Sequence, residues 1–97
     1  MKLVSVKPAP KDSPKKWVAN FQSSTGQTIR TQFGAKGYED YTIHKNKQRR
    51  DRYRQRHNRD LKTADPTRAG YLSYYLLWGD STDMDKNISV YRKTFNL

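Results

Sequence analysis

Residues 43 to 62 of this chain can contribute almost nothing to a hydrophobic core. Nine of these twenty are Lys or Arg (Lys45, Lys47, Arg49, Arg50, Arg52, Arg54, Arg56, Arg59 and Lys62), and only Asp51 and Asp60 oppose them, a local charge of 9 − 2 = +7. The segment nevertheless has helical character. Asp40 or Thr42 can cap it, and Tyr53, His57 and Leu61 recur at i, i+4 and i+8, with Ile43 near the start. The spacing predicts one long helix over 41–62 that buries a narrow stripe and shows cations over the rest of its surface. In a chain of 97 residues, 33% of them hydrophobic, the core must therefore come from the flanks. That length fits one domain, and the 12% aromatic content supplies large buried areas from few side chains.

The flanks offer a sheet on one side and helices on the other. Trp17, Ala19 and Phe21 alternate onto one face, and Ile29, Thr31 and Phe33 do the same after Ser23–Gln27, where Gly26 can take a positive φ. This predicts a β-hairpin over 17–33, which needs helical support to be stable in water. Pro8, Pro10 and Pro14 deny residues 7–16 a helix or a central strand, so 1–16 reads as an extended Pro/Lys arm. Gly34-Ala35-Lys36-Gly37 reads as a strand-to-helix turn from which Lys36 can join a basic surface. After a break at Thr63–Thr67, with Pro66 ready to start a helix, residues 67–78 place Leu72, Tyr75 and Leu76 on one face, widened by Tyr71, Leu77 and Trp78, and Gly79 stops the helix. A last helix is capped by Ser81 or Thr82, carries Asp83 and Asp85 in its first turn, and has the stripe Met84, Ile88, Tyr91, Phe95. The expected fold is α+β: an arm over 1–16, then a single small domain over 17–97 made of a β-hairpin and three helices.

Much chemistry is missing. With no cysteine there is no disulfide scaffold, thiolate zinc site or cysteine nucleophile. No apolar run approaches the ~20 residues that span a bilayer, and Met1–Val6 is too short for the apolar region of a signal peptide. A soluble protein of a cell interior or a virion is expected, with no membrane partner. His44 and His57 stand thirteen residues apart, about 20 Å along a helix, too far to share a metal. His57 is expected to pack beside Tyr53, and His44 to hydrogen-bond locally. No carboxylate pair is spaced for acid–base work, and no Gly-x-Ser-x-Gly elbow exists. The expectation is a protein that is not an enzyme, with no cofactor, metal or small-molecule substrate. The one enzymatic alternative is a nuclease using His44 with Glu39 or Asp40.

What the chain has in quantity is positive charge. Twenty Lys+Arg against nine Asp+Glu leave +11, with a pI near 10.1 and a mean hydropathy of −1.16. Arginine is a planar fork that clamps phosphate oxygens through two bonds. On a helix, Arg49, Arg52, Arg56 and Arg59 would form one ridge, and Arg50 and Arg54 its neighbour. Like charges so crowded repel unless an anion neutralises them. The expected partner is nucleic acid, double-stranded DNA first, bound through phosphate with low sequence specificity. Arg49, Arg50, Arg52, Arg54, Arg56 and Arg59 would carry contact, Lys45, Lys47 and Lys62 would add charge, and Lys36 would join from the glycine loop. The alternatives are an acidic protein surface and plain solubility.

The run Phe33-Gly34-Ala35-Lys36-Gly37-Tyr38-Glu39-Asp40-Tyr41-Thr42-Ile43-His44-Lys45, followed by Arg49-Arg50, Tyr53 and Arg56-His57, resembles a family of small basic proteins encoded by large DNA viruses and aquatic phages. Leu72-Ser73, Leu76-Leu77-Trp78, Ile88, Tyr91 and Phe95 are similar to that family's C-terminal half. The resemblance covers most of the chain after residue 17 and leaves out the Pro/Lys arm. It implies a viral context rather than an activity. Joined to the cationic helix, that context leads to the expectation of a virion-associated protein, within the host cytoplasm or nucleus, that helps to package or condense a genome. The rival reading in that context is a minor capsid or cement protein whose basic surface and N-terminal arm bind acidic shell proteins. The family often carries acidic residues after the His-Lys pair. Asn46 and Lys47 stand there in this chain and make the helix more cationic.

Overall fold

The hairpin forms where the alternation of side chains places it. In a computed structural model that describes residues 1–97, β2 (Lys15–Gln22) and β3 (Thr28–Ala35) pair antiparallel, with Trp17 opposite Phe33, Ala19 opposite Thr31 and Phe21 opposite Ile29. Gly26, at φ +88°, turns the chain, and the Ser23 N–H donates to the Gln27 carbonyl at 2.8 Å. The N-terminal segment is not the extended arm expected over 1–16: Lys2–Pro8 is a strand, β1, antiparallel to β2, and the prolines fall at its end and in the turn that follows, where the Ser13 N–H donates to the Pro10 carbonyl at 3.0 Å. The sheet order is β1-β2-β3. An edge strand tolerates Pro8 at its end. A register shift between Leu3 and Ser5 leaves Val4 exposed, while Leu3 is buried opposite Phe21. Only residues 9–14 remain as a connection, and they are held down: Lys36 Nζ donates to the carbonyls of Pro10 (3.1 Å) and Lys11 (3.0 Å).

The helix expected over 41–62 is broken into three pieces. α1 (Tyr41–His44) is one turn, capped by buried Asp40, whose carboxylate accepts from the Thr42 N–H at 2.9 Å. Lys45 then takes the left-handed conformation, φ 57°. Asn46 starts a new helix, α2 (Lys47–His57), by accepting from the Arg49 N–H at 3.1 Å. An amide side chain that competes for backbone donors favours such a cap over a helix interior. His57, at φ −102° and ψ 9°, leaves helical geometry, and Asn58–Thr63 follow as a 3₁₀ segment that ends on left-handed Ala64. Ile43, expected on the buried stripe, is 53% exposed because it precedes the break and belongs to a different helix.

The next helix starts at Ala69, not at Pro66. Asp65 accepts from both the N–H and the hydroxyl of Thr67 and holds the preceding loop, and the Pro66 carbonyl accepts from Tyr91 Oη. After one turn, α3 (Ala69–Leu72) widens into a π-helical turn, Ser73–Leu77. Leu72, Leu76 and Leu77 all end fully buried. Gly79 closes the element: a Cβ there would lie 2.2 Å from the Tyr75 carbonyl oxygen and 2.8 Å from Asn87 Cγ. The last helix, α4 (Met84–Phe95), is capped by Asp83 rather than Ser81 or Thr82, through the Asp85 N–H at 3.0 Å. Ser81 Oγ instead accepts from the Asp83 N–H. Its stripe faces inward as the spacing predicts, with Tyr91 buried and Met84, Ile88 and Phe95 packed against the core. Leu3, Ala19, Phe21, Phe33, Tyr71, Leu72, Leu76, Leu77 and Tyr91 form that core between sheet and helices.

Candidate nucleic-acid interface

Which guanidinium groups of α2 reach solvent depends on their angle around the helix. Arg50 and Arg54, four residues apart, turn to the body of the protein. Arg54 Nε donates to the Trp78 carbonyl at 2.7 Å and its Nη2 to Asp80 at 2.8 Å. Trp78 ends the π-helical turn, so its carbonyl has no partner within the helix, and Arg54 satisfies it. The same bond holds the Asp80 carboxyl below the ordinary carboxylate range. Arg50 pairs with Asp51 at 3.0 Å, lies 4.9 Å from the centre of the Tyr41 ring, and is 13% exposed. These two residues, expected as a second contact ridge, fasten the helix to the rest of the molecule.

Arg49, Arg52 and Arg56 lie on another side of the helix. With Trp78 they line a concavity of about 410 Å³ that contains no carboxylate. Arg56 makes no ion pair, and Arg52 reaches only the Gln48 carbonyl, at 3.4 Å. Arg49 approaches Glu39 at 3.5 Å with both side chains about half exposed, a pairing that contributes little. Arg59 stands beyond the end of α2, on the 3₁₀ segment, and does not extend the ridge at helical spacing. Lys45, Lys47, Arg59 and Lys62 are exposed and make no ion pair. Lys36, engaged with the residue 10–11 carbonyls, sits apart from them.

Beside the ridge runs a column of rings. His44 and Trp78 have centroids 5.3 Å apart, Trp78 and Tyr53 stack at 4.2 Å with planes 6° apart, and Tyr53 and His57 stack at 4.1 Å. His57 packs on Tyr53, as its spacing predicts, and its Nδ1 lies 3.1 Å from Asp60. Burial pushes the Tyr53 hydroxyl up to about 12, helped by the negative charge of Asp60. His44 accepts the Asn46 N–H on Nδ1 at 2.9 Å, which leaves the proton on Nε2, buried and without a partner. Burial first, and the Arg49 charge second, lower the His44 pKa from 6.5.

The column borders a cleft of about 530 Å³ between the β2–β3 end of the sheet and α2–α3. Each of its carboxylates has a partner: Glu39 has Arg49, buried Asp40 has Lys16 at 2.9 Å, and Asp60 has His57. Lys15 and Tyr38, which the sequence reading did not single out, also line it. The i, i+4 spacing marks Tyr53 and His57 as neighbours, but no local signal joins Trp78, 25 residues downstream of Tyr53, to them. No three His, Asp or Glu side chains converge on a point where they could hold a metal ion, and no helix is long and apolar enough to cross a membrane.

Residues 4–57 match the model of a family of unknown function (DUF5754). The matched span runs from β1 to the end of α2 and includes the whole ridge. No curated protein and no solved structure matches the chain.

Proposed function

The chain belongs to the DUF5754 family of unknown function, and from its own residues we propose that it binds nucleic-acid phosphate through the α2 ridge with little sequence specificity. The observation that carries this reading is the concavity formed by Arg49, Arg52 and Arg56, where three guanidinium groups converge without a carboxylate among them. Such a site is electrostatically unsatisfied until an anion enters it. Phosphate oxygens match the planar fork of arginine through paired bonds. Lys45, Lys47, Arg59 and Lys62 surround the ridge with further charge and widen the footprint.

In the viral context that the resemblance implies, phosphate binding of this kind would serve to package or condense a genome within the virion. The rival cement-protein reading needs an arm that can thread between neighbours. Lys2–Pro8 is instead a strand of this protein's own sheet.

Random-sequence duplex DNA should shift in a gel at ~100 mM salt. With ~5 phosphate contacts, log K should fall against log salt with a slope of about −4 to −5. Reversing Arg49, Arg52 and Arg56 together to Glu should abolish binding and leave the fold intact, because none of the three holds the core. Retained binding in that folded variant would refute the assignment.

A further inference from the structure

We infer that the cleft beside the ridge takes an unpaired nucleobase, which makes single-stranded nucleic acid the preferred partner over duplex; this rests on the phosphate-binding reading above. The two spaces are continuous in their linings. Arg49, Arg56 and Trp78 border both the ridge concavity and the cleft. A phosphate seated on the ridge would therefore bring its own base to the cleft mouth.

The cleft differs from the ridge concavity in its charge. The concavity is lined by guanidinium groups and Trp78 alone, whereas the cleft sets Glu39, Asp40 and Asp60 among Lys15, Lys16, Arg49 and Arg56. Asp40 is committed to Lys16 and to the α1 cap, but the Asp60 carboxylate has His57 as its one polar partner, on Oδ2, and keeps acceptor capacity. A carboxylate repels phosphate and accepts hydrogen bonds from the N–H groups of a base edge. The volume of about 530 Å³ lies within the range of sites that enclose small organic ligands.

The rings provide the stacking surface. Trp78 is covered by His44 and Tyr53, and Tyr53 by Trp78 and His57. His57 ends the column: one face lies on Tyr53, yet the side chain is 42% exposed. A base settling there extends the stack by one ring. Tyr38, 74% exposed and also lining the cleft, can close over it. A paired base within a duplex shows only its edges to a protein and must be unpaired and unstacked before it can enter such a site. A base on a single strand enters without that cost, and aromatic stacking then adds affinity irrespective of sequence.

The test compares a labelled mixed-sequence single strand of about 15 nucleotides with its own duplex, by fluorescence anisotropy at one salt concentration. The single strand should bind at least about tenfold more tightly. In a Trp17→Phe protein Trp78 is the remaining tryptophan, and its emission should change more on saturation with the single strand than on saturation with the duplex. Ala35→Trp, which fills the cleft from an exposed strand position, should bring single-strand affinity toward the duplex value. Equal affinities of the unsubstituted protein for the two ligands, or equal changes of Trp78 emission on saturation with each, would overturn the cleft assignment and leave the ridge reading standing. Failure of both ligands to bind, or their retention by the folded Arg49→Glu, Arg52→Glu, Arg56→Glu protein, would overturn both.

Discussion

Arg54 and Arg56 are two residues apart on α2 and chemically identical, yet they do different work. The first is an internal brace on Trp78 and Asp80, and the second makes no ion pair and borders the concavity. Replacing Arg54 by Gln should lower stability by about 1.5–3 kcal/mol, the scale of hydrogen bonds to a charged group, read as a fall in the urea midpoint. Arg56→Gln should leave that midpoint within about 0.5 kcal/mol of unchanged. It should weaken nucleic-acid binding and lessen the salt slope by about 1. Composition cannot separate the two. Helical spacing assigns each to a side of the helix, but which side meets protein depends on where the Trp78 carbonyl lies. At this scale the charge of the site was legible in the sequence and the division of labour among its arginines was not.

At the scale of elements, the least legible feature is the interruption at Lys45–Asn46. The spacing of Tyr53, His57 and Leu61 is compatible with one continuous helix, and it carries no information about a cap upstream. The break follows from two local side-chain bonds, Asp40 closing α1 and Asn46 opening α2. Asn46→Ala should cost about 1 kcal/mol by leaving the Arg49 N–H without its acceptor. At the other end, Ala64 closes the 3₁₀ segment at φ 54°, a conformation that costs a residue with a Cβ. Ala64→Gly should therefore stabilise the protein by about 0.5–1 kcal/mol. Thermal denaturation of the two variants against the parent should give shifts of opposite sign. The hairpin and α4, by contrast, were legible in their pairing and inward stripe, because each turns a face with a period of two or of 3.6 to the same core; Ile29, expected on the buried face of the hairpin, is nevertheless 37% exposed, and Val18 on the other face is buried.

The whole molecule is closed by its termini. The Leu3 N–H donates to the Leu97 carbonyl at 3.2 Å, and Arg92 donates twice to the Leu3 carbonyl. Deleting residues 1–8 removes Leu3 from the core, worth about 2–5 kcal/mol by itself, out of the roughly 5–15 kcal/mol typical of a domain. The truncated chain should lose its cooperative urea transition, or show a much lower midpoint.

Stability should also fall toward both ends of the pH scale. His44 has a lowered folded pKa, so below 6.5 the unfolded chain takes up the proton first. Its contribution is complete above that value and drains away as the pH falls through it. Glu39 and Asp40 partly oppose the shift, and Arg49 reinforces it. Asp65, held low by its bonds from Thr67, and Asp80, held low by Arg54, add losses below the ordinary value of 3.8. Tyr53 has the opposite sign: its folded pKa is raised to about 12, so stability declines as the pH rises above 10. Urea midpoints should drop between about pH 7 and pH 5 in the parent and drop less in His44→Gln.

Charge density, the alternating hairpin and the α4 stripe followed from the order of residues, since each depends on neighbours a few positions away or on a simple sum. The third strand, the recruitment of Arg50, Arg54 and Lys36 as internal braces, and the column joining Trp78 to Tyr53 were decided by the tertiary structure. Each of those depends on a partner brought close by folding, and proximity of that kind leaves no period in the sequence.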